Sequence, residues 1–373
     1  MTGSTYLDHA ASSPVLPEAA AAMAAELGRP GNPSSLHAAG RAARRALEEA
    51  RESLAADLGA RPAEVVFTSG GTEANNLALL GARAEGRGEV AVSAIEHPSV
   101  AAVRQRLAEV AVLPVHETGH LDLDRATGLL GRRTGLVSVM WVNNETGAVQ
   151  PVAAVAERAH AVGALAHSDA VQAFGHLPVG FARSGLDLLS VSAHKLGGPV
   201  GIGALVVRRG VTVVPTGFGG GQEARLRSGT VPVALAAGFA TAARVACGRL
   251  EAEARRLSAL RDRLIAGALA TIPDTRANTA EPCSPAIVNL TFAGVRADDV
   301  LLLLDAAGFD ASTGSACTAG VHQPSEVLLA MGRTSAAASA SLRFSFGPDT
   351  TTGSIDALLG LLPGIVERAR SAS

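Results

Sequence analysis

Short apolar runs alternate with amphipathic stretches through the middle of this 373-residue chain, and this alternation constrains the fold more than any other feature. Strands separated by helices rather than by tight turns pair in parallel. The order therefore predicts an α/β fold, a large and mostly parallel sheet with helices on both faces. We predict strands at Glu64–Thr68, Glu89–Ala94, Val110–Val115, Leu136–Val142, Ala164–Ser168, Leu188–Val191 and Gly203–Val207.

Helix signals lie between most of these strands. Ser34 or Ser35 can cap a long helix that ends near Leu58, because Gly59 just beyond it is a typical helix terminator. A second helix opens at Thr72, after the glycine turn that follows the first strand. Further helices are predicted at Ser99–Glu109, Leu123–Leu130 and Val152–Val162.

The pattern changes towards the C-terminus. From Pro232, which suits a first helical turn, to about Ile272 the sequence predicts one long helix. Beyond it we predict strands and helices at Ala286–Phe292, Ala297–Ala307, Leu342–Phe346 and Gly353–Arg370. This mixture indicates a smaller α+β domain. We expect residues 14–258 to form the large, cofactor-binding domain, and residues 1–13 with 259–373 to form the small one.

Lys195 is the single lysine among 32 basic residues, and all the others are arginines. Arginine does not lose its proton near neutral pH, whereas lysine can become an amine nucleophile once its pKa is lowered. A lone lysine is usually a solvated surface residue. Lys195, however, closely follows the apolar strand Leu188–Val191, which favours a chemical role.

Composition limits the partners and the location. The net charge of −2 gives no indication of a nucleic-acid or membrane partner. No stretch has the length and apolarity of a membrane span, and the first residues do not resemble a signal peptide, so we expect a cytoplasmic protein. Cys247, Cys283 and Cys317 are far apart and form no CxxC pair, so each is treated as a single thiol.

Two polar clusters follow predicted strands, where ligands bind in open α/β sheets. Ser69-Gly70-Gly71-Thr72 joins a strand to a helix N-terminus, which suits an anion such as phosphate, although a plain tight turn explains the glycines equally well. His97 also follows a strand and could stack on a flat cofactor ring. Its alternative role is to cap a surface helix.

Two further clusters follow the same rule. Asp169 ends an apolar strand, where a buried carboxylate needs a cationic partner such as a pyridinium N–H, although an N-cap is the alternative. Gln172 lies one turn further along and could bond a ring hydroxyl. Ser192 and His194 can donate to phosphate, and Lys195 can form a Schiff base. Together these clusters predict pyridoxal phosphate (PLP) as the cofactor.

At these motifs the sequence resembles the cysteine desulfurases of the nitrogen-fixation and iron–sulfur-assembly type, within the class V aminotransferase-like enzymes of PLP fold type I. The resemblance covers nearly the whole chain. Besides the four clusters, it rests on the motifs Tyr6–Pro14, Gly31–Ser35, Asn143–Gly147, Gly219–Glu223, Arg227–Thr230, Ser315–Cys317 and Leu342–Ser345.

The resemblance implies a role for each matching residue. Gly71, Thr72, Ser192 and His194 bind the phosphate, and His97 stacks on the ring. Asp169 pairs with the pyridine nitrogen and Gln172 with the ring oxygen. Asn144 contacts the cofactor or the substrate, while Arg343 grips the substrate carboxylate with help from Asn32. Thr230 reaches the phosphate of the other subunit, which implies a homodimer.

Cys317 decides the reaction that this resemblance implies. Its surroundings, Ala311–Gly320, are small and polar and indicate an exposed loop, whereas Cys247 lies in an apolar helical stretch and Cys283 matches no motif. The Cys317 thiolate would take sulfur from L-cysteine as a persulfide and leave L-alanine, with Lys195 or His97 moving protons.

The stretch Ser312–Pro324 resembles the long loop of the iron–sulfur-assembly subgroup, which passes sulfur to an acceptor protein. No stable metal site is expected, although Cys317 could be a transient iron–sulfur ligand.

Some positions depart from the pattern of the family. His9 replaces a usual Asn, Val200 replaces a usual Lys, and the usual Asn two places after Thr230 is absent. Two alternatives stay open. One keeps the cofactor but makes the chain an aminotransferase or a selenocysteine or cysteine lyase. The other is a non-catalytic scaffold that only binds partners, which the intact set of Lys195, Asp169 and Arg343 disfavours.

Overall fold

A seven-stranded mixed sheet is the central element of the fold in a computed structural model that describes residues 4–82, 87–314 and 323–372. Over these ranges the strands are β1 (Thr5–Tyr6), β2 (Val65–Thr68), β3 (Glu89–Ser93), β4 (Val110–Leu113), β5 (Thr134–Ser138), β6 (Leu165–Asp169), β7 (Leu188–Ser192), β8 (Gly203–Val207), β9 (Thr275–Ala277), β10 (Ile287–Phe292), β11 (Phe309–Asp310) and β12 (Ser341–Ser345).

The helices of the described residues are α1 (Pro17–Leu27), α2 (Ala38–Leu58), α3 (Gly71–Gly81), α4 (Pro98–Ala101), α5 (Leu123–Leu129), α6 (Val152–Ala161), α7 (Phe181–Ser184), α8 (Val233–Thr271), α9 (Ala297–Ala306), α10 (Glu326–Ala330), α11 (Ser335–Ser339) and α12 (Thr352–Ala372). Short 3-10 turns add Pro62–Glu64, Ala102–Arg106, Ala193–Lys195 and Glu223–Arg225.

The strand order in the large sheet is β2-β8-β7-β6-β5-β3-β4. Strands β3 to β7 pair in parallel, while β8 runs antiparallel to both of its neighbours. The connection from β7 to β8 has no long helix to carry the chain back across the sheet, so β8 returns in the opposite direction. This confirms the predicted mostly parallel sheet.

Both faces of the large sheet are apolar and covered by helices. Along β3, Ala91 packs into the core formed with α2, α6 and α8, while its neighbours Val90 and Val92 pack into the opposite core with α3 and α4. Alternate residues of a strand point to opposite faces, so strands covered on both sides are apolar at every position. The predicted layer arrangement is thus confirmed.

The second sheet is antiparallel, has the order β12-β10-β9, and lies over its own core with α9, α12 and the second half of α8. At the N-terminus, β1 pairs in parallel with β11 and so fastens the first residues beside this sheet. Contrary to the expectation from the sequence, helix α8 is long and apolar enough to cross a membrane by length and composition, but its buried residues belong to the two cores of the fold.

Several local predictions are wrong in detail. The long helix ends at Leu58 with Gly59 in the left-handed region, as predicted, but His37 caps its start rather than Ser34 or Ser35. The predicted helix Ser99–Glu109 is a short α-helix followed by a 3-10 turn. The division into domains at residues 14 and 259 stays a prediction.

Candidate active site

The N-terminus of α3 forms one wall of a cavity at the carboxyl edge of the large sheet. A Cβ added at Gly71 would lie 2.6 Å from Val171 Cγ2, so a larger residue would force Val171 at the cavity wall to shift. Nearby, Ser192 Oγ is buried and has no hydrogen-bond partner among the described residues. Free helix N–H groups and an unpaired hydroxyl fit the phosphate of PLP.

Asp169 stands at the end of β6 and is buried. Its Oδ2 accepts a hydrogen bond of 2.6 Å from Asn75 Nδ2, and its Oδ1 accepts one of 2.9 Å from the backbone N–H of Val171. These two donors hold the carboxylate in one orientation at the cavity wall. The N-cap-like bond to Val171 and a role toward a cationic ring nitrogen are therefore compatible.

Lys195 lies in the 3-10 turn after β7, opposite the N-terminal segment. Its Nζ donates to the carbonyl oxygens of Ala10 at 2.6 Å and Ala11 at 2.8 Å. Burial lowers the pKa of Lys195 to about 8, and Arg343 acts in the same direction. A lysine with such a pKa is partly unprotonated near neutral pH, which is the state a nucleophilic amine requires.

Arg343 enters the cavity from β12 of the second sheet and is nearly fully buried. Its Nη2 donates to Asp8 Oδ1 at 2.6 Å and its Nη1 to the backbone carbonyl of Asn144 at 2.9 Å. Its Nε has no partner among the described residues. A guanidinium with an unpaired N–H in the same cavity as the amine of Lys195 can donate to the carboxylate of an amino acid.

His97 caps the short helix α4. Its Nδ1 lies 3.1 Å from the backbone nitrogen of Ser99 and 2.8 Å from Ser99 Oγ. Burial lowers the pKa of His97, the Lys195 ammonium acts in the same direction, and Asp169 opposes both. The cap predicted as the alternative role is thus present, and the ring also lines the cavity.

These elements enclose a cavity of about 400 Å³. The predicted site residues that line it are Gly71, Thr72, His97, Asn144, Asp169, Gln172, Ser192, His194, Lys195 and Arg343. Asn32 and Thr230 lie outside the cavity and are exposed. Cys317 lies outside the described residues.

The N-terminal segment and Asn75 also line the cavity, and the sequence reasoning assigned neither a role at the site. Ala10 shows why the N-terminal segment was missed. Its backbone carbonyl accepts hydrogen bonds from Lys195 Nζ at 2.6 Å and from Gln172 Nε2 at 2.8 Å. Every residue has a backbone carbonyl, so the residue type does not indicate which carbonyl accepts a hydrogen bond at the site. Asn75 left a partial signal, an amide in an apolar helix, which its neighbour Asn76 shares.

Glu145 is a buried carboxyl in the cavity wall. Burial raises the pKa of Glu145, while Arg343 and a hydrogen bond of 2.5 Å from Ser325 Oγ oppose that effect. Ser325 also caps α10, which begins shortly after the stretch that contains Cys317. The hydrogen bond between Glu145 and Ser325 therefore connects the cavity wall to the start of α10.

An ion pair anchors the glycine-rich segment that precedes Thr230. Arg51 donates from Nη1 and Nη2 to the two carboxylate oxygens of Glu223, both at 2.7 Å, and Glu223 also accepts from the backbone N–H of Phe67. Ala224 and Arg225, next along the chain, have φ of 53° and 65°. Left-handed backbone is unfavourable for such residues, so the buried pair helps to maintain this conformation.

Comparison with known proteins agrees with this geometry. The family profile of aminotransferase class-V matches residues 5–358. An IscS-like cysteine desulfurase of Mycobacterium tuberculosis is 48% identical, with 99% of this chain and 98% of that protein covered. A cysteine desulfurase of Gluconacetobacter diazotrophicus is 42% identical, with 99% and 94% covered.

A solved structure gives the same result for the fold. The structure of a NifS-like protein superposes with a TM-score of 0.91 at 31% identity, with 98% of this chain and all of that one covered. The relatives match along nearly their whole length as well as along nearly the whole length of this chain. The chain therefore belongs to the aminotransferase class-V family and, within this family of PLP-dependent enzymes, to the cysteine desulfurases of the IscS and NifS type.

Proposed function

We propose that this cysteine desulfurase binds PLP in the cavity at Lys195 and transfers the sulfur of L-cysteine to Cys317 as a persulfide. The observation that carries the proposal is the placement of the single lysine. Its amine, with a pKa lowered to about 8 by burial, faces the same cavity as Asp169, the unpaired Ser192 hydroxyl and the unpaired Nε of Arg343. Lys195 is the residue that would attach the cofactor.

The remaining lining residues would hold PLP by its polar groups. Gly71, Thr72, Ser192 and His194 would take the phosphate, and Asp169 the ring nitrogen. Gln172 would bond the ring oxygen, and His97 would stack on the ring. When bound, PLP supplies an electron sink for bonds at the substrate α-carbon.

The side chains of the chain itself then orient the substrate and move protons. Arg343, with Asn144 and Asn32, would hold the carboxylate of cysteine. The structure of the related SspA in complex with cysteine, 33% identical with a TM-score of 0.80, supports this substrate. The amine of Lys195, partly unprotonated near neutral pH, would take and return the α-proton. The Cys317 thiolate would attack the substrate sulfur, and the rest of the substrate would leave as L-alanine.

Oligomeric state, acceptor and location belong to the same proposal. Thr230 is exposed in the single chain and follows a segment anchored by Arg51 and Glu223, which suits a role at the cofactor of a second subunit. We propose a cytoplasmic homodimer whose persulfide passes to an acceptor protein, such as an iron–sulfur scaffold or a tRNA-thiolation protein.

Mass spectrometry of the protein after addition of L-cysteine tests the proposal. We expect one additional sulfur on the peptide that contains Cys317, and equal amounts of alanine and transferable sulfur. Cys317→Ala abolishes both the adduct and sulfide release under reductant. Cys283→Ala, which removes the half-buried thiol bonded to Arg261, is the matched control and retains them. Unchanged sulfide and alanine production in Cys317→Ala would contradict the assignment.

A further inference from the structure

A chain of hydrogen bonds within the cavity wall joins Asp169 to His97. Asn75 Nδ2 donates to Asp169 Oδ2 at 2.6 Å and to Ser99 Oγ at 2.8 Å. The hydroxyl oxygen of Ser99 lies 2.8 Å from His97 Nδ1, and the backbone nitrogen of Ser99 lies 3.1 Å from the same atom. Asn75 is 1% exposed, so water does not replace these bonds.

The direction of each bond follows from the donors available. Asn75 can bring only its amide nitrogen to Asp169, because an oxygen there would face a carboxylate oxygen at 2.6 Å. Both amide protons of Asn75 are then used. Ser99 Oγ accepts one of them, which leaves the hydroxyl proton of Ser99 free to point to His97.

The backbone N–H of Ser99 fixes the last link. A backbone nitrogen can only donate, so His97 Nδ1 must present its lone pair to it. The hydroxyl of Ser99 reaches the same lone pair. A proton on Nδ1 would oppose the N–H of Ser99 at 3.1 Å, which disfavours both the Nδ1–H tautomer and the doubly protonated ring.

The unpaired oxygen of Asn75 adds a second observation. Asn75 Oδ1 is buried without a partner among the described residues. An unpaired buried acceptor is unfavourable for folding, so packing alone does not explain an asparagine here. The two N–H groups of Asn75 explain it, because a neutral amide nitrogen can donate simultaneously to Asp169 and Ser99.

We propose that Asn75 and Ser99 are positioning residues that hold His97 as the neutral tautomer with its proton on Nε2. This inference rests on the proposed function and makes one part of it more specific. In this state His97 offers an N–H donor at Nε2, and its lone pair, on Nδ1, is occupied by the two bonds from Ser99. Deprotonation of the substrate or of Cys317 then falls to another group, with the amine of Lys195 the nearest candidate for the α-proton.

The proposal is tested by NMR of PLP-loaded protein with ¹⁵N-labelled histidine. Two-bond proton–nitrogen correlations distinguish the tautomers of an imidazole ring, and His97→Gln identifies the His97 signals among those of the 10 histidines. We expect Nδ1 to resonate as an unprotonated nitrogen and Nε2 as a protonated one at neutral pH. A protonated Nδ1 overturns the proposal.

Two variants test the roles of Asn75 and Ser99. Asn75→Ala and Ser99→Ala should shift the Nδ1 signal towards the position of a protonated nitrogen and lower kcat/KM about tenfold, the size expected for loss of one hydrogen bond. The matched control is Asn76→Ala on the same helix, because Asn76 Nδ2 bonds the backbone carbonyls of Thr72 and Ser99 and does not reach Asp169. Its His97 signals should match those of wild type.

The outcomes separate this inference from the proposed function. An unchanged His97 signal in Asn75→Ala and Ser99→Ala would mean that the backbone N–H alone sets the tautomer, and would overturn the positioning role of both side chains. If no persulfide formed on Cys317 while the Nε2–H tautomer was observed, the proposed function would fail and the tautomer assignment would stand.

Discussion

Ser192 and Ser190 lie two positions apart on β7 and are both buried, yet their hydroxyls have different surroundings. Ser190 Oγ bonds His167 Nε2 at 3.0 Å. Ser192 Oγ has no partner among the described residues and faces the cavity. A buried hydroxyl without a partner from the protein is free to bond a ligand.

A pair of alanine variants uses this difference. Ser192→Ala should leave the melting temperature of the cofactor-free chain unchanged, since no internal hydrogen bond is lost, and should weaken PLP binding about tenfold through loss of one bond to a charged group. Ser190→Ala should lower the melting temperature and leave PLP affinity unchanged. Calorimetry and PLP titration measure both quantities. Equal PLP affinity in wild type and Ser192→Ala contradicts the assignment of Ser192 to the phosphate.

The residues found from sequence share one property, a functional group that is unusual for its surroundings. Lys195 is the single lysine, and Asp169 is a charge at the end of an apolar strand. The carbonyl oxygens of Ala10 and Ala11, which receive Lys195, could not be found in this way because every residue carries one. Asn75 could have been found, but its neighbour Asn76 is an equal candidate until the burial of each is known.

Among the elements, the strands of the large sheet were the easiest to predict, because most of their residues are apolar and buried, and β8 was predicted with its observed bounds. The start of α2 was harder. Both serines and His37 are capping residues by chemistry, and the choice depends on where the chain leaves the turn at Ser35. Helix α4 is short because the chain passes into a 3-10 turn at Ala102, which apolar periodicity alone does not indicate.

Helix α8 is 39 residues long, about 58 Å, and its two ends belong to different cores. Ala236–Ala243 packs under the large sheet and Leu257–Ala268 under the second sheet, while no residue from 244 to 256 is buried. Helix α8 nevertheless continues without interruption from one core to the other. It sets the position of Arg343 on the second sheet relative to Lys195 on the large one.

Ala252→Pro tests this role of α8. Proline in a helix interior removes a hydrogen bond and bends the axis, at a cost of about 3 kcal/mol, and Ala252 is exposed, so neither core loses a contact. We expect PLP binding to persist and KM for cysteine to rise about tenfold or more as Arg343 moves. Ala252→Gly, which keeps the N–H, is the control. An unchanged KM in the proline variant shows that other contacts align the two sheets.

On the scale of the whole molecule, the fold class followed from the sequence because strand–helix alternation leaves few topologies. The antiparallel direction of β8 and the route of the N-terminal segment over the site did not follow. Both depend on contacts between distant parts of the chain. Asp8 bonds Arg343, and Ser345 Oγ accepts from the N–H of Ala10, across more than three hundred residues of sequence.

Stability against pH is also a property of the whole molecule. Glu96 is buried beside the site, and burial raises its pKa to about 8. The unfolded chain releases this proton near its ordinary pKa, whereas the folded chain keeps it until about pH 8. The contribution of Glu96 is therefore complete in acid and is lost as the pH rises, at up to about 1.4 kcal/mol per pH unit.

We expect Glu96→Gln to flatten the decrease in the free energy of unfolding between about pH 5 and pH 8. Glutamine can still accept from Ser93 Oγ and the N–H of Met140 but does not titrate. Denaturant titrations at several pH values measure the slope. Glu49→Gln, on the exposed side of α2, should retain the wild-type slope. An equally steep slope in Glu96→Gln would show that other groups cause it.

The single lysine has a practical consequence for chemistry performed on this protein. Lys195 is half-buried behind the carbonyls of Ala10 and Ala11, so the described surface presents no ε-amine to acylating reagents or lysine cross-linkers. Such reagents have one side-chain target, and it lies inside the active site. Labelling measured on the peptide that contains Lys195 therefore counts the sites whose amine is not joined to PLP, and no other lysine adds to that signal.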